Sequence, residues 1–162
     1  MKRLLFLSYY FPPMGGGGVQ RVAKFCKYLP GFGYHVAVVT ARSEYYDHSD
    51  DQSLNREVKD IPRYEIEFPA TNTYLNKIVH SDLGRFLNWH QKNWIGAAKK
   101  VGEIAILNEQ PDLICASVSP YPMASVAEFL SKKYQIPWVL DMRDPWALDP
   151  INVYASKIHY FR

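Results

Sequence analysis

Short apolar runs alternate along this chain with longer segments of helical periodicity, and this alternation restricts the fold more than any other feature. A strand buried on both faces of a parallel sheet is apolar at nearly every position. The predicted strands are residues 3–8, 35–40, 63–68, 112–117 and 137–144, and the predicted helices are residues 19–29, 74–109 and 119–134. The pattern predicts one α/β domain over residues 1–162, with a Rossmann-like, doubly wound parallel sheet in a three-layer α/β/α arrangement.

The helical segments have apolar inner faces at the expected spacing. The predicted inner faces comprise Val19, Val22, Ala23, Cys26 and Leu29 in the first helix, Trp89, Trp94, Ile95, Ala98, Val101 and Ile104 in the second, and Met123, Val126, Ala127 and Leu130 in the third.

Residues 43–57 are polar and acidic, and we expect an exposed loop there.

Composition excludes several classes of protein. The net charge of +3 is too small for a dedicated nucleic-acid binder. The two cysteines, Cys26 and Cys115, lie in apolar segments without a C-x-x-C motif, which predicts buried free thiols in a reducing compartment. The apolar core of the amino terminus, residues 4–7, is too short for export or for a membrane span. We therefore expect a cytoplasmic protein.

In an open parallel sheet, ligands bind beyond the carboxyl ends of the strands. This rule selects three loops, residues 9–18, 117–122 and 143–149. These loops also contain the most unusual residues of the chain.

The first loop runs into the glycine-rich stretch "MGGGGVQRV", residues 14–22. The unpaired N–H groups and partial positive charge of a helix amino terminus attract phosphate, and glycine lets the phosphate approach closely. Gly16, Gly17 and Gly18 are therefore candidate phosphate-binding residues. Gln20 and Arg21 stand where a G-x-G-x-x-G fingerprint needs its last glycine, and a P-loop motif is missing. The alternative is a flexible turn without a ligand.

The predicted fifth strand runs into "DMRDPW". The fork of Arg143 suits phosphate or carboxylate, Asp141 or Asp144 can orient a sugar hydroxyl or act as a base, and Trp146 can stack on a sugar. The alternative for Asp141 and Arg143 is an internal ion pair.

The loop "SVSPYP" supplies two further candidates for substrate binding, Ser119 and Tyr121. A helix start with Ser119 as N-cap and Pro120 at the first position explains Ser119 equally well, whereas Tyr121 is better placed to face a cleft. The five histidines lack metal-ligand spacing, so we expect no metal site.

Two segments together resemble the family 4 glycosyltransferases, which have the GT-B fold. "LSYYFPPMGGGGVQRVAKFCKYLPGFGYHVAVVTA" resembles the opening of that family, and "PDLICASVSPYPMASVAEFLSKKYQIPWVLDMRDPW" resembles a later segment with a D-x-R-D-x-W motif. The resemblance covers residues 3–42 and 111–150. It implies that the chain is the amino-terminal, acceptor-side domain of a longer enzyme.

The family moves a sugar from a nucleotide-sugar donor to an acceptor with retention of configuration and without a required metal or other cofactor. The resemblance implies that Gly16, Gly17 and Gly18 approach the donor diphosphate. Arg21 is a candidate for positioning the donor phosphate or the acceptor, with a solvated helix residue as the alternative. The resemblance also implies that Arg143 or Asp144 stands where many members of the family have a histidine, which this chain lacks at that place. The role expected for Arg143 or Asp144 is therefore acceptor orientation or stabilisation of transition-state charge.

The implied partners are a nucleotide-sugar donor, a glycan or lipid-linked acceptor of cell-surface polysaccharide synthesis, and a carboxyl-terminal GT-B domain. Aromatic and basic residues within 74–96 are a candidate peripheral membrane contact, with core packing of the tryptophans as the alternative. Two other functions remain open: a non-catalytic nucleotide- or sugar-binding module, and a dinucleotide-dependent oxidoreductase domain. The isolated domain is expected to be inactive.

Overall fold

In a computed structural model, the amino-terminal apolar run forms the central strand of a five-stranded sheet. The structure describes residues 1–42, 51–67, 89–118 and 122–142. All pairings are parallel, in the order β3-β2-β1-β4-β5. The strands are β1 (Lys2–Ser8), β2 (Tyr34–Ala41), β3 (Arg63–Ile66), β4 (Leu113–Val118) and β5 (Trp138–Met142). The helices are α1 (Gly17–Tyr28), α2 (Gln52–Glu57), α3 (Trp89–Glu109) and α4 (Pro122–Tyr134).

Helices cover both faces of the sheet, because alternate residues of each strand point to opposite sides. Leu4 and Phe6 of β1 pack in the cluster that contains α1 and α2, whereas Leu5 and Leu7 pack with α3 and α4. The predicted three-layer α/β/α fold with a doubly wound parallel sheet is therefore confirmed.

Four of the five residues predicted for the inner face of α1 are buried, whereas Leu29 follows the helix and is half-buried. Val19, Val22, Ala23 and Cys26 are at most 1% exposed. The helix ends at Tyr28 and continues into a 3₁₀ turn, Leu29–Phe32. Gly33 then adopts a left-handed conformation with φ of 81°, which glycine reaches without steric penalty.

The structure corrects three local predictions. Residues 52–57 were expected in an exposed loop, yet they form α2, because Asp51 caps the helix through the Leu54 N–H (3.0 Å) and Leu54 is buried. Ile104 was placed on an inner face but is 53% exposed. Cys115 was expected to be buried, and it is half-buried, whereas Cys26 is fully buried.

Boundaries differ slightly from the predicted ones, and some predictions fall on residues that the structure does not describe. The described part of α3 begins at Trp89, and α4 begins at Pro122. Ser119 and Pro120, which were predicted to start the helix that is now α4, lie outside the described residues. The candidate membrane contact within 74–96 lies mostly outside them too, although Trp94 is buried in the core. No described helix combines the length and apolarity that crossing a membrane demands.

Candidate functional site

The loop after β1 is anchored to β3 by a partly buried arginine. Arg63 donates hydrogen bonds to the carbonyl oxygens of Pro12 (2.9 Å) and Val58 (3.0 Å), and its guanidinium lies 5.1 Å from the centre of the Phe11 ring. Phe11 itself is 1% exposed. The turn closes when the Met14 N–H donates to the Phe11 carbonyl (3.2 Å). These contacts fix the direction from which the chain enters the glycine segment, which we define as residues 15–18.

Most of the glycine segment lies on the surface, at the amino terminus of α1. Gly15 is buried, whereas Gly16, Gly17 and Gly18 are exposed. Gly16 has φ of 110° and ψ of 163°, a conformation open essentially to glycine alone. A Cβ atom added at Gly16 or Gly17 would meet no atom within 4 Å. The space in front of Gly16 and Gly17 is therefore open.

The glycine segment lies at the end of α1 where the helix dipole has its partial positive charge. The first turn of the helix contains no acidic residue that would neutralise the helix dipole. Arg21 follows Gly17 by four residues, about one turn or 6 Å along the helix. A guanidinium beside the amino terminus of a helix favours an anionic ligand.

Arg21 connects α1 to the end of β5. Its Nη1 donates to Asp141 Oδ1 at 2.8 Å, and Ser117 Oγ at the end of β4 donates to Asp141 Oδ2 at 3.2 Å. Ser117 is the register partner of both Asp141 and Ser8. Arg21, Asp141 and Ser117 therefore link α1 to the carboxyl ends of two neighbouring strands, and we name these three residues the Arg21 cluster.

The Arg21 cluster is part of a polar row at the carboxyl edge of the sheet. Ser8, Thr40 and Ser117 are each at most 3% exposed, and each is the last or the last but one residue of an apolar strand. Ser8 Oγ donates to the Tyr10 carbonyl (2.8 Å) and Thr40 Oγ1 donates to the Tyr9 carbonyl (3.1 Å), so these hydroxyls hold the loop that precedes the glycine segment. Sequence reasoning missed all three hydroxyl residues. The available signal was a polar residue at the last position of each apolar run.

Three aromatic rings lie next to this loop. The Tyr9 ring centre is 4.9 Å from that of Tyr10 and 5.1 Å from that of Trp94. Tyr9 and Tyr10 are half-buried, and Trp94 is 2% exposed. The core-packing alternative is therefore correct for Trp94.

Neither cysteine is suited to nucleophilic chemistry near neutral pH. Burial raises the pKa of Cys26 to about 12. Burial, together with the negative charge of Asp141, raises the pKa of Cys115 to about 11. The thiolate is the reactive form, so both side chains are largely unreactive thiols at pH 7.

The structure describes five of the ten residues that the sequence selected. Arg21 and Asp141 are in direct contact, so Asp141 takes part in an ion pair with a residue of α1. Gly16 is the N-cap of α1, and Gly17 and Gly18 are the first two residues of that helix, before Arg21. Ser119, Tyr121, Arg143, Asp144 and Trp146 lie outside the described residues. Among the residues that are described, no group of three His, Cys, Asp or Glu side chains could hold a metal ion.

No protein-family model matches the sequence, and no curated protein matches it either. Solved structures do match in fold. The calicheamicin glycosyltransferase CalG4 superposes with a TM-score of 0.58 at 17% identity, over 86% of this chain and 32% of CalG4. The Streptomyces sp. SF2575 glycosyltransferase SsfS6 gives a TM-score of 0.51 at 12% identity, over 86% of this chain and 39% of SsfS6.

A domain from an unrelated class of protein has the same fold. The carboxyl-terminal domain of the PF1911 hydrogenase from Pyrococcus furiosus gives a TM-score of 0.53 at 15% identity, over 86% of this chain and 89% of that domain. The chain thus spans only about a third of the length of CalG4 but nearly all of the hydrogenase domain. Likeness at such low identity demonstrates a fold that glycosyltransferases share, and the function has to be argued from the site.

Proposed function

We propose that the chain is the acceptor-side domain of a retaining, GT-B glycosyltransferase. The enzyme would transfer a sugar from a nucleotide-sugar donor to a glycan or lipid-linked acceptor in the synthesis of cell-surface polysaccharide, at the cytoplasmic side of the membrane. A second, carboxyl-terminal domain would hold most of the nucleotide, and no metal would be required. The resemblance of residues 3–42 and 111–150 to family 4 supports this proposal, as does the fold shared with CalG4 and SsfS6.

The observation that carries the proposal is the exposed glycine segment at the positive end of α1. The leaving group of a nucleotide-sugar is a diphosphate, and its charge grows as the glycosidic bond breaks. Backbone N–H groups without side chains in front of them can approach that charge directly. Gly16 and Gly17 leave this space open, since a Cβ atom there meets nothing within 4 Å.

The neighbouring polar groups have complementary roles in this proposal. Arg21 would neutralise donor phosphate, and Asp141 would orient a sugar hydroxyl together with Ser119, Tyr121 and the ring of Trp146. Arg143 and Asp144, which follow β5 directly in the sequence, would orient the acceptor or stabilise transition-state charge.

The proposal is tested by replacing Gly17 with valine in the full-length protein. The valine side chain would occupy the space of the phosphate, so transfer should fall by about 100-fold or more, a loss typical of removing such stabilisation. The assay is release of nucleoside diphosphate from a panel of nucleotide-sugars, with thermal unfolding measured in parallel. Gly31→Val is the matched control, because Gly31 is also exposed with open space around it, but lies beyond the other end of α1. Unchanged turnover in Gly17→Val would contradict the proposal.

A second candidate is a nucleotide- or sugar-binding module without catalysis. The fold is compatible with it, because a domain of a hydrogenase has the same fold as the glycosyltransferases CalG4 and SsfS6. Saturable binding of a nucleotide-sugar by the full-length protein, without turnover and lost in Gly17→Val, would favour the module over the enzyme.

A further inference from the structure

We propose that Asp141 is an internal counter-ion of Arg21, which a ligand phosphate displaces when it binds at the glycine segment. Anion binding at this site would then be an exchange of a carboxylate for a phosphate on the same guanidinium. This inference rests on the proposed function and specifies how the site responds to its ligand.

The geometry of the Arg21 cluster supports an exchange. Arg21 and Asp141 come from different layers of the fold, and the 2.8 Å bond joins Nη1 to a single carboxylate oxygen, Oδ1. The other carboxylate oxygen is held by Ser117, which is 2% exposed and therefore fixed in the sheet. Breaking the bond would let Arg21 move on the helix surface while Asp141 stayed in place.

Exposure makes the ion pair easy to break. The Arg21 side chain is 47% exposed and that of Asp141 is 33% exposed. Ion pairs in contact with water contribute little net stability, since water and salt compensate for the loss of the partner. A diphosphate has more negative charge than a carboxylate and can accept two parallel hydrogen bonds from the guanidinium fork, so it competes effectively for Arg21.

The exchange would also change what Asp141 can bind. Without Arg21, the Oδ1 atom becomes an acceptor without a partner, held in position by Ser117 at Oδ2. A sugar hydroxyl could donate to that atom while the phosphate of the same ligand is held by Arg21 and the helix amino terminus. The pair therefore fits a ligand that combines phosphate with hydroxyl groups, which is the chemistry of a sugar phosphate.

Isothermal titration of the full-length protein with inorganic pyrophosphate at fixed ionic strength tests the exchange. Asp141→Asn keeps the shape of the side chain and removes the competing charge, so the Kd should fall by about 3- to 5-fold, the upper part of the range of an exposed ion pair. Arg21→Gln should raise the Kd by about 10-fold or more. In the double variant, Asp141→Asn should give much less tightening, because the contested group is gone.

Two charge variants far from the site serve as controls. Arg3→Gln removes an exposed arginine at the amino end of β1, and Glu128→Gln removes an exposed carboxylate on α4. Both should leave the Kd within about twofold of the original value, since charges beyond a Debye length are largely screened. Thermal unfolding confirms that each variant is folded, and Asp141→Ser replaces Asp141→Asn if the latter is not.

Each outcome has one meaning. Tighter binding in Asp141→Asn that depends on Arg21 supports the exchange, including the case in which only the variant binds measurably. Pyrophosphate binding that Asp141→Asn leaves unchanged or weakens overturns the exchange but leaves the proposed phosphate site standing. If neither the original protein nor any variant binds pyrophosphate, both proposals fail.

Discussion

Adding one methyl group at neighbouring glycines separates two reasons for a glycine in this loop, backbone conformation and space. Gly16 has φ of 110° and ψ of 163°, whereas Gly17 is the first residue of α1. A Cβ atom at either position meets nothing within 4 Å, so steric contact with neighbours is the same for both. Gly16→Ala and Gly17→Ala therefore differ mainly in backbone strain.

The expected free-energy changes have opposite signs. Forcing an L-residue into the Gly16 conformation costs about 1–3 kcal/mol. Gly17→Ala should instead stabilise the protein by about 0.4–1 kcal/mol, because alanine restricts the unfolded chain and suits a helix. At roughly 3 °C per kcal/mol for a chain of this length, the Tm should fall by about 3–9 °C in Gly16→Ala and rise by about 1–3 °C in Gly17→Ala.

Thermal unfolding followed by circular dichroism, with urea unfolding at 25 °C as a second measure, provides the assay. The two variants serve as each other's control, because they add the same atom one residue apart. Equal Tm values for the two variants, or a lower Tm for Gly17→Ala than for Gly16→Ala, would refute the assignment of strain to Gly16 alone.

Two further predictions concern stability elsewhere in the fold. Gly102→Ala should stabilise the protein less than Gly96→Ala does, or should destabilise it. A Cβ atom at Gly102 would lie 2.5 Å from Cδ1 of the fully buried Leu130, whereas Gly96 has open space around it. The urea midpoints of the two variants check this prediction. Glu109→Gln should destabilise the protein by about 1–2 kcal/mol at pH 7, since Glu109 accepts from Tyr64 (2.7 Å) and contacts His35 Nε2 (2.6 Å). Burial raises the pKa of Glu109, but hydrogen bonds from Tyr64 and His35 outweigh it and hold the pKa below its usual value of 4.5. The carboxylate therefore stabilises the fold above that value and loses its contribution as the pH falls through the lower folded-state pKa, so urea unfolding from pH 7 to pH 3 should show the variant and the original protein converging.

The elements of the sheet could be predicted because their signals are local. Residues 3–8 are apolar throughout, and a strand between two helix layers has both faces buried. The stripe Val19, Val22, Ala23 and Cys26 likewise required only the period of a helix. The rule that ligands bind at carboxyl ends then selected the loop that contains Gly16, Gly17 and Gly18 without any knowledge of strand order.

Predictions failed where burial depends on distant parts of the chain. Residues 52–57 are polar enough to resemble a loop, and Leu54 is a core residue only because it packs in the apolar cluster that contains the inner face of α1. Ile104 has a favourable position in the helical pattern, but α3 contacts the sheet and α4 through Ala105 and Ile106 instead. The periodicity of a helix gives the spacing of its buried face, and the neighbouring elements decide which positions that face includes.

The sequence by itself determined the five strands, the helices α1, α3 and α4 and the glycine-rich start of α1, because each follows from the periodicity and backbone freedom of a few adjacent residues. Only the tertiary structure decided that Arg21 meets Asp141 and that Ser117 holds that carboxylate, since these residues are 120 and 24 positions apart from Asp141. Their contact depends on the strand order β1-β4-β5 and on the layer to which α1 belongs. The sequence gives the sign of the charge on each residue, but only the fold brings the two side chains within hydrogen-bond distance.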